Sequence, residues 1–300
     1  ARGRGAAAPP QGASSAGPAS PAPGPVRKLS QKQLELQRQY LRMYDRRRER
    51  ILLVGEANFS FARALCSRPF PEGSGDVGGA AEGAGAGAAA SDDEGRAAGL
   101  VATAFDSEGV TAAKYPDAQD NMRVIKLRGA EVRTGVDCTS MGDYEGGRLR
   151  ASFDKVVFQF PHTGSGEKDM ARNIEENRAL LAAFFRQCCV CLRRDNKRAE
   201  AHVTLKSGEP YKSWKPGPTC AEATDGLLEV KTARDFDPAC FPHYAHRRTI
   251  GFKTDLSAAQ NEEILKTGAR TYVFGWSRKR LRELEAQGGG SDSEGPSTEP

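Results

Sequence analysis

The chain has 300 residues, 38% hydrophobic and 28% charged, with 33 Gly, 17 Pro and a formal charge of +5. Much of the Gly and Pro lies in stretches too polar or too small-chained to build a core, which leaves about 220 residues, enough for one domain. Seven cysteines without a paired spacing point to a reducing compartment rather than a disulfide framework, and no apolar run is long enough to span a bilayer.

Residues 1–28 read as a disordered basic arm, with no acid and no large apolar residue before Val26. The first 50 residues hold 11 Lys or Arg against three acids, net +8, so the rest carries −3. This charge is densest at Arg46-Arg47-Arg48-Glu49-Arg50. Such a run suits a phosphate backbone or another anionic partner; a solvated helix face or an import signal are the plainer alternatives. An Arg- and Ala-rich, acid-poor start also fits an organelle transit peptide, and a chain beginning at Ala1 reads as a fragment or a processed form. Residues 29–50 are expected as a basic helix, because Leu29, Leu36, Tyr40 and Met43 recur at helical spacing.

The run Ile51-Leu52-Leu53-Val54 predicts a buried strand that breaks at Gly55, with a helix from about Phe59 to Cys66. A strand, a tight turn and a helix N-terminus are where open α/β sheets bind nucleotide-like ligands. Residues 71–99, mainly Gly, Ala and acids, read as a disordered insertion. Without them, the second strand, Val101 to Phe105, brings Asp106 to about the spacing of a ribose-binding acid. Ser107 caps a short helix ending near Tyr115, and Asp120 or Asn121 opens another that Gly129 stops. Further strands are predicted at Glu131–Val136 (ending at Asp137), Phe153–Phe160, Ala201–Leu205 (ending at Lys206), 227–232 and Thr271–Trp276. A long helix covers 173–192 and a short one 257–267, and 286–300 read as a disordered tail. Cys188, Cys189 and Cys191 contain a C-x-x-C, but on the apolar face of that long helix they read as small hydrophobes, and no metal is expected. The alternation predicts an α/β fold with a mostly parallel seven-stranded sheet, helices on both faces and an antiparallel pair at one edge.

In such a sheet, Gly55-Glu56, Asp106, Asp137 and Gln159-Phe160-Pro161-His162 end strands that open on one crevice. An acid at the second strand suits ribose, and a polar group at the third suits the adenine amino group; helix capping is the plainer reading of each alone. The missing Gly-rich turn argues against a pyrophosphate ligand and so against a nicotinamide oxidoreductase. The Gln159–His162 tetrapeptide resembles the Asn/Asp-Pro-Pro-aromatic loop of methyltransferases that alkylate planar nitrogens.

Gly55-Glu56-Ala57-Asn58-Phe59-Ser60-Phe61, Lys114-Tyr115-Pro116, Val136-Asp137-Cys138-Thr139, Phe158–His162 and His202–Lys206 resemble, in order, the signatures of the large-subunit (25S-type) rRNA uridine-N3 methyltransferase family. Gly208–Tyr211, Trp214 and Tyr244–Thr249 continue the resemblance, which covers about residues 50–252. It is also similar to the N-terminal domain of ferredoxin-fold anticodon-binding-domain proteins. Ala57 stands where the family usually has Gly, and Gln159 where it usually has Asn.

The resemblance implies a Rossmann-like class I methyltransferase domain over 51–285, with S-adenosylmethionine as donor. The acceptor it implies is a uridine of large-subunit rRNA or a pre-ribosome, modified in the nucleolus, with a chloroplast or mitochondrion as the alternative. Gly55, Glu56, Ala57, Asn58, Phe59, Asp106 and Asp137 are then expected to bind the cofactor. His162 is the candidate base, with Gln159 and Pro161 in the target loop and Lys206 set to stabilise developing charge. His246, Arg247 and Arg248 are expected on phosphates, with an ion pair to the acidic insertion as the plainer alternative; Trp214 and Phe160 are available to stack on a flipped base, buried aromatic packing being the default for both. A monomer without a membrane anchor is expected. Two alternatives stand beside this reading: an inactive RNA-binding ribosome-assembly factor, and a nitrogen methyltransferase with another acceptor.

Overall fold

A computed structural model describes residues 29–67, 97, 99–247 and 267–288. The expected arm 1–28, nearly all of the insertion 71–99, the stretch 257–266, Arg248 and 289–300 lie outside the described residues. In chain order the elements are α1 (Gln31–Met43), β1 (Ile51–Val54), α2 (Ser60–Cys66), β2 (Leu100–Thr103), α3 (Glu108–Lys114), α4 (Ala118–Leu127) and β3 (Glu131–Arg133). They continue with β4 (Lys155–Gln159), α5 (Met170–Cys191), β5 (Glu200–Lys206), α6 (Pro216–Ala223), β6 (Leu228–Phe236), β7 (Ala269–Trp276) and α7 (Arg278–Gly288).

The strands form one seven-stranded sheet in the order β3-β2-β1-β4-β5-β7-β6. The pairs from β3 through β5 are parallel; β7 runs antiparallel to both β5 and β6. The central strands read as continuous apolar runs because both faces are covered. Ile51, Leu53 and Val157 point into a core with α1, α2 and α4, while Leu52, Val54, Val156 and Phe158 face α5 and α6. This is the doubly wound α/β arrangement with an antiparallel edge pair that the alternation predicts.

Several boundaries differ from the sequence reading. The second strand ends at Thr103 and the third at Arg133, two and three residues early, where the chain turns towards the crevice. α4 starts at Ala118 with Asp117 at its N-cap position, rather than at Asp120 or Asn121. α1 ends at Met43, and it is no free basic appendage. The side chain of Ser30 and that of Gln33 close a reciprocal capping box, and Tyr40 is fully buried, its hydroxyl donating to the carbonyl of Asp235 at 2.7 Å.

The α1 side of the core is an aromatic cluster. Phe61 of α2 lies 6.1 Å from Tyr44, 5.0 Å from Phe241 and 5.7 Å from Tyr244 between ring centroids. It thereby joins α2 to the segment that follows β6. Phe61→Ala is expected to cost about 3–5 kcal/mol of unfolding free energy, as for other buried aromatic truncations, measured by urea denaturation.

Candidate active site

Gly55 follows β1 with φ +68°, and a Cβ there would come within 2.5 Å of the Phe158 ring on β4. Only glycine combines that backbone conformation with so close an approach. The turn carries the chain over the edge of the sheet, where Gly55, Glu56 and Ala57 line a cavity of about 390 Å³. Asp106 beyond β2, Asp137 beyond β3 and His162 beyond β4 line the same cavity, with Val136, Phe158 and Leu180 as its apolar wall. Six of the residues expected at the site are therefore brought together.

The two aspartates are held differently. Asp106 pairs with Lys114 Nζ at 2.7 Å, an ion pair made by the Lys114-Tyr115-Pro116 segment. Asp137 Oδ1 accepts from the backbone N and the hydroxyl of Thr139, both at 2.8 Å, which fixes the carboxylate in a local turn. Tyr115 also lines the cavity, and burial pushes its phenol up to about 12, so it stays neutral.

Glu56 is the unusual acid. It is buried, its carboxylate accepts from Ala62 N at 3.3 Å in the first turn of α2, and burial raises its pKa to about 7. His162 is half-buried, and its Nδ1 accepts from Gly164 N at 3.0 Å. The neutral ring therefore carries its proton on Nε2. Burial, and then the charge of Lys206, hold its pKa below the ordinary 6.5.

Other expected site residues stand elsewhere. Phe59, at φ +60°, is fully buried beneath the turn. Asn58 does not reach the cavity: its Nδ2 donates to Asp117 Oδ2 at 2.9 Å and its Oδ1 accepts from Ser60 N at 3.2 Å. Arg247 NH2 donates to the same Asp117 oxygen at 2.8 Å, so the guanidinium expected on phosphate is engaged inside the protein. His246 packs 4.6 Å from Phe160 and bonds the Tyr244 hydroxyl at 3.2 Å. Trp214 is fully buried, 4.9 Å from Tyr211 and 6.0 Å from His162, so it supports the loop and offers no open face for a flipped base. Pro161 is buried and Lys206 lies over the Tyr211 ring at 5.6 Å; neither lines the cavity.

Gln159 is the last residue of β4 and does not itself line the cavity, though Phe158 and Phe160 on either side of it do. Its Oε1 and Nε2 are both buried and neither has a hydrogen-bond partner among the described residues. Lys114 and Asp117 are not among the residues expected at the site from the sequence. Their partners, eight residues away for Lys114 and as far as 130 for Asp117, follow from the fold rather than from local spacing.

Residues 52–248 match the family model described as BMT5-like, rRNA (uridine-N3-)-methyltransferase BTM5-like. An uncharacterized protein of Arabidopsis thaliana is 29% identical over 245 residues, which are 80% of this chain and 99% of that protein. The human ferredoxin-fold anticodon-binding domain-containing protein 1 is 32% identical over 75% of this chain, but the chain spans only 30% of that protein's length. The 25S rRNA (uridine(2634)-N(3))-methyltransferase of Saccharomyces cerevisiae is 24% identical over 75% of this chain and 72% of its own length.

The Glu56 carboxyl links pH to stability. Its folded pKa lies above the ordinary 4.5, so the folded state binds the proton more tightly than the unfolded state does. Its contribution is most favourable below about 4.5 and declines until pH has passed 7, a loss on the order of 3 kcal/mol. Denaturation midpoints followed from pH 4.5 to 8 are expected to fall more steeply for the wild type than for Glu56→Gln.

Proposed function

The chain belongs to the BMT5-like rRNA (uridine-N3-)-methyltransferase family, and from that premise we propose that it methylates N3 of a uridine in large-subunit ribosomal RNA. That it is an S-adenosylmethionine-dependent methyltransferase follows from the family and accords with its fold. The cavity residues fit such a cofactor. Two carboxylates at neighbouring strand ends are acceptors suited to ribose hydroxyls and an adenine amino group, and Val136, Phe158 and Leu180 provide an apolar slot. Among the described residues, the turn after β1 is not the G-x-G-x-x-G loop of pyrophosphate sites, and this cofactor carries no phosphate.

Bound there, S-adenosylmethionine supplies an electrophilic methyl group on a positively charged sulfur. The protein's own part is to present a planar nitrogen, stabilise the charge that develops on its ring and keep water out. The observation that best supports this reading is the Gln159 amide. A buried amide with neither atom satisfied is costly and calls for a partner, and a uracil imide edge offers carbonyl oxygens to its N–H. Next to it, neutral His162 fits a donor better than a base. With Nδ1 accepting from Gly164, Nε2–H can donate to a carbonyl oxygen of the uracil anion that remains once the N3 proton has passed to solvent water, ahead of methyl transfer. Phe160 stands at φ +52° between the two, its N bonded to the Thr204 carbonyl at 2.9 Å, which fixes the loop.

Purified protein incubated with S-adenosylmethionine and unmodified large-subunit rRNA is expected to yield N3-methyluridine on nucleoside mass spectrometry. Gln159→Ala is expected to lower the rate roughly 10- to 100-fold with cofactor affinity retained, the scale of one charge-assisted hydrogen bond. Methylation of another nucleoside, or of protein, would refute the uridine assignment.

A further inference from the structure

The densest basic run of the sequence takes no part in the cavity. Arg46 to Arg50 lie where α1 leads into β1, at the sheet edge opposite the strand ends that line the cavity. Arg46 is buried and donates to the Cys66 carbonyl at 3.2 Å, whereas Arg47, Arg48 and Arg50 are exposed. The turn is rigidly held. A Cβ on Gly99 would come within 2.4 Å of the Glu49 carbonyl oxygen, and Asp154 Oδ2 accepts from Arg50 N at 2.8 Å.

Asp154 ties this run to a second one in the connection from α5 to β5. Its other oxygen accepts from Asn196 Nδ2 at 2.7 Å and pairs with Arg193 at 3.6 Å. Beside them Arg194, Lys197 and Arg198 are exposed, and none has a carboxylate partner among the described residues. The Arg194 guanidinium lies 5.8 Å from the Trp276 ring, whose Nε1 donates to the Arg193 carbonyl at 3.1 Å. Trp276 ends β7, and α7 follows with Arg278 and Arg282, again exposed and without carboxylate partners among the described residues.

Register places the three runs side by side. Ile51 pairs with Lys155, Lys155 with Glu200 and Glu200 with Gly275, across four adjacent strands. At about 4.8 Å per strand, they fall within roughly 15 Å. Several nearby acids are already engaged: Glu49 with Lys155, Asp195 with Arg193 at 2.7 Å and Glu283 with Arg280 at 3.4 Å.

We propose that this edge is a second RNA contact, a phosphate-backbone anchor on the pole opposite the cavity. The inference rests on the rRNA reading above. Exposed guanidinium forks, with Arg194 over the Trp276 ring and Arg50 over the Phe153 ring at 5.2 Å, suit phosphate oxygens and carry no base specificity. β5 separates the two poles by seven residues, roughly 20 Å at about 3.3 Å per residue. A folded RNA can reach both poles, while a mononucleotide cannot.

The test compares wild type with Arg194→Glu/Lys197→Glu/Arg198→Glu, and independently with Arg278→Glu/Arg282→Glu. The probe is a labelled transcript of a large-subunit rRNA domain, titrated across a series of salt concentrations. S-adenosylmethionine binding serves as the check on folding and should be unchanged, since none of the five residues lines the cavity. Each variant is expected to bind RNA about tenfold or more weakly at low salt, with a log–log salt slope shallower by about two to three. Unchanged affinity and slope in both variants, with the wild type still methylating the transcript, would overturn the anchor alone. No binding of the transcript by the wild type would overturn the anchor together with the rRNA reading. Weakened binding to polyglutamate with RNA affinity intact would overturn it in favour of an acidic protein partner.

Discussion

The close approach of Gly55 to Phe158 is the constraint on which the site depends. β1 and β4 are neighbours in the sheet, and the chain leaving β1 must cross the ring at the end of β4 without a side chain of its own. That crossing aims Glu56 at the first turn of α2 and opens the space that Asp106, Asp137 and His162 complete. Any larger residue at 55 would displace either the ring that walls the cavity or the turn that floors it. The wall and the floor are therefore one packing decision, made at a single backbone position.

The second feature of the architecture is a strap. After β6 the chain returns across α2, with Phe241 and Tyr244 packed on Phe61 and Ala245 bonded through both its N and O to the Ser60 hydroxyl at 3.0 Å. Arg247 and Asn58 then meet on the carboxylate of Asp117. These contacts turn residues that looked like cofactor and RNA ligands into the scaffolding of the turn they border.

The strands were legible because buried parallel strands are written as short apolar runs ending at Gly or Asp, and those runs are unambiguous at 51–54 and 155–159. The convergence of Gly55, Asp106 and Asp137 could be inferred once the Gly/Ala-rich insertion was set aside, since topology alone brings successive strand ends to one crevice. What could not be read were partnerships between distant residues. Arg247 could not be matched to Asp117, because that acid lies 130 positions earlier. Trp214 suits buried packing as well as stacking on a base, and nothing local says that α5, α6 and β5 close over it. The start of α4 was not legible because its N-cap residue, Asp117, bonds Arg247 and Asn58 and makes no side-chain cap bond to its own helix, so no local capping signal marks it. The basic run at Arg46–Arg50 was visible as charge, but its pole was not, since that depends on which end of β1 it precedes.

The central claim is that the strand-end cavity holds S-adenosylmethionine through the acids beyond β2 and β3. Calorimetric titration of the cofactor into wild type and Asp106→Ala addresses it most directly. The account predicts one site in the wild type and affinity lower by roughly 10- to 100-fold in the variant, the scale of a lost charged hydrogen bond. A folded wild type that does not bind the cofactor, or a variant that binds it as tightly as the wild type, would contradict the account.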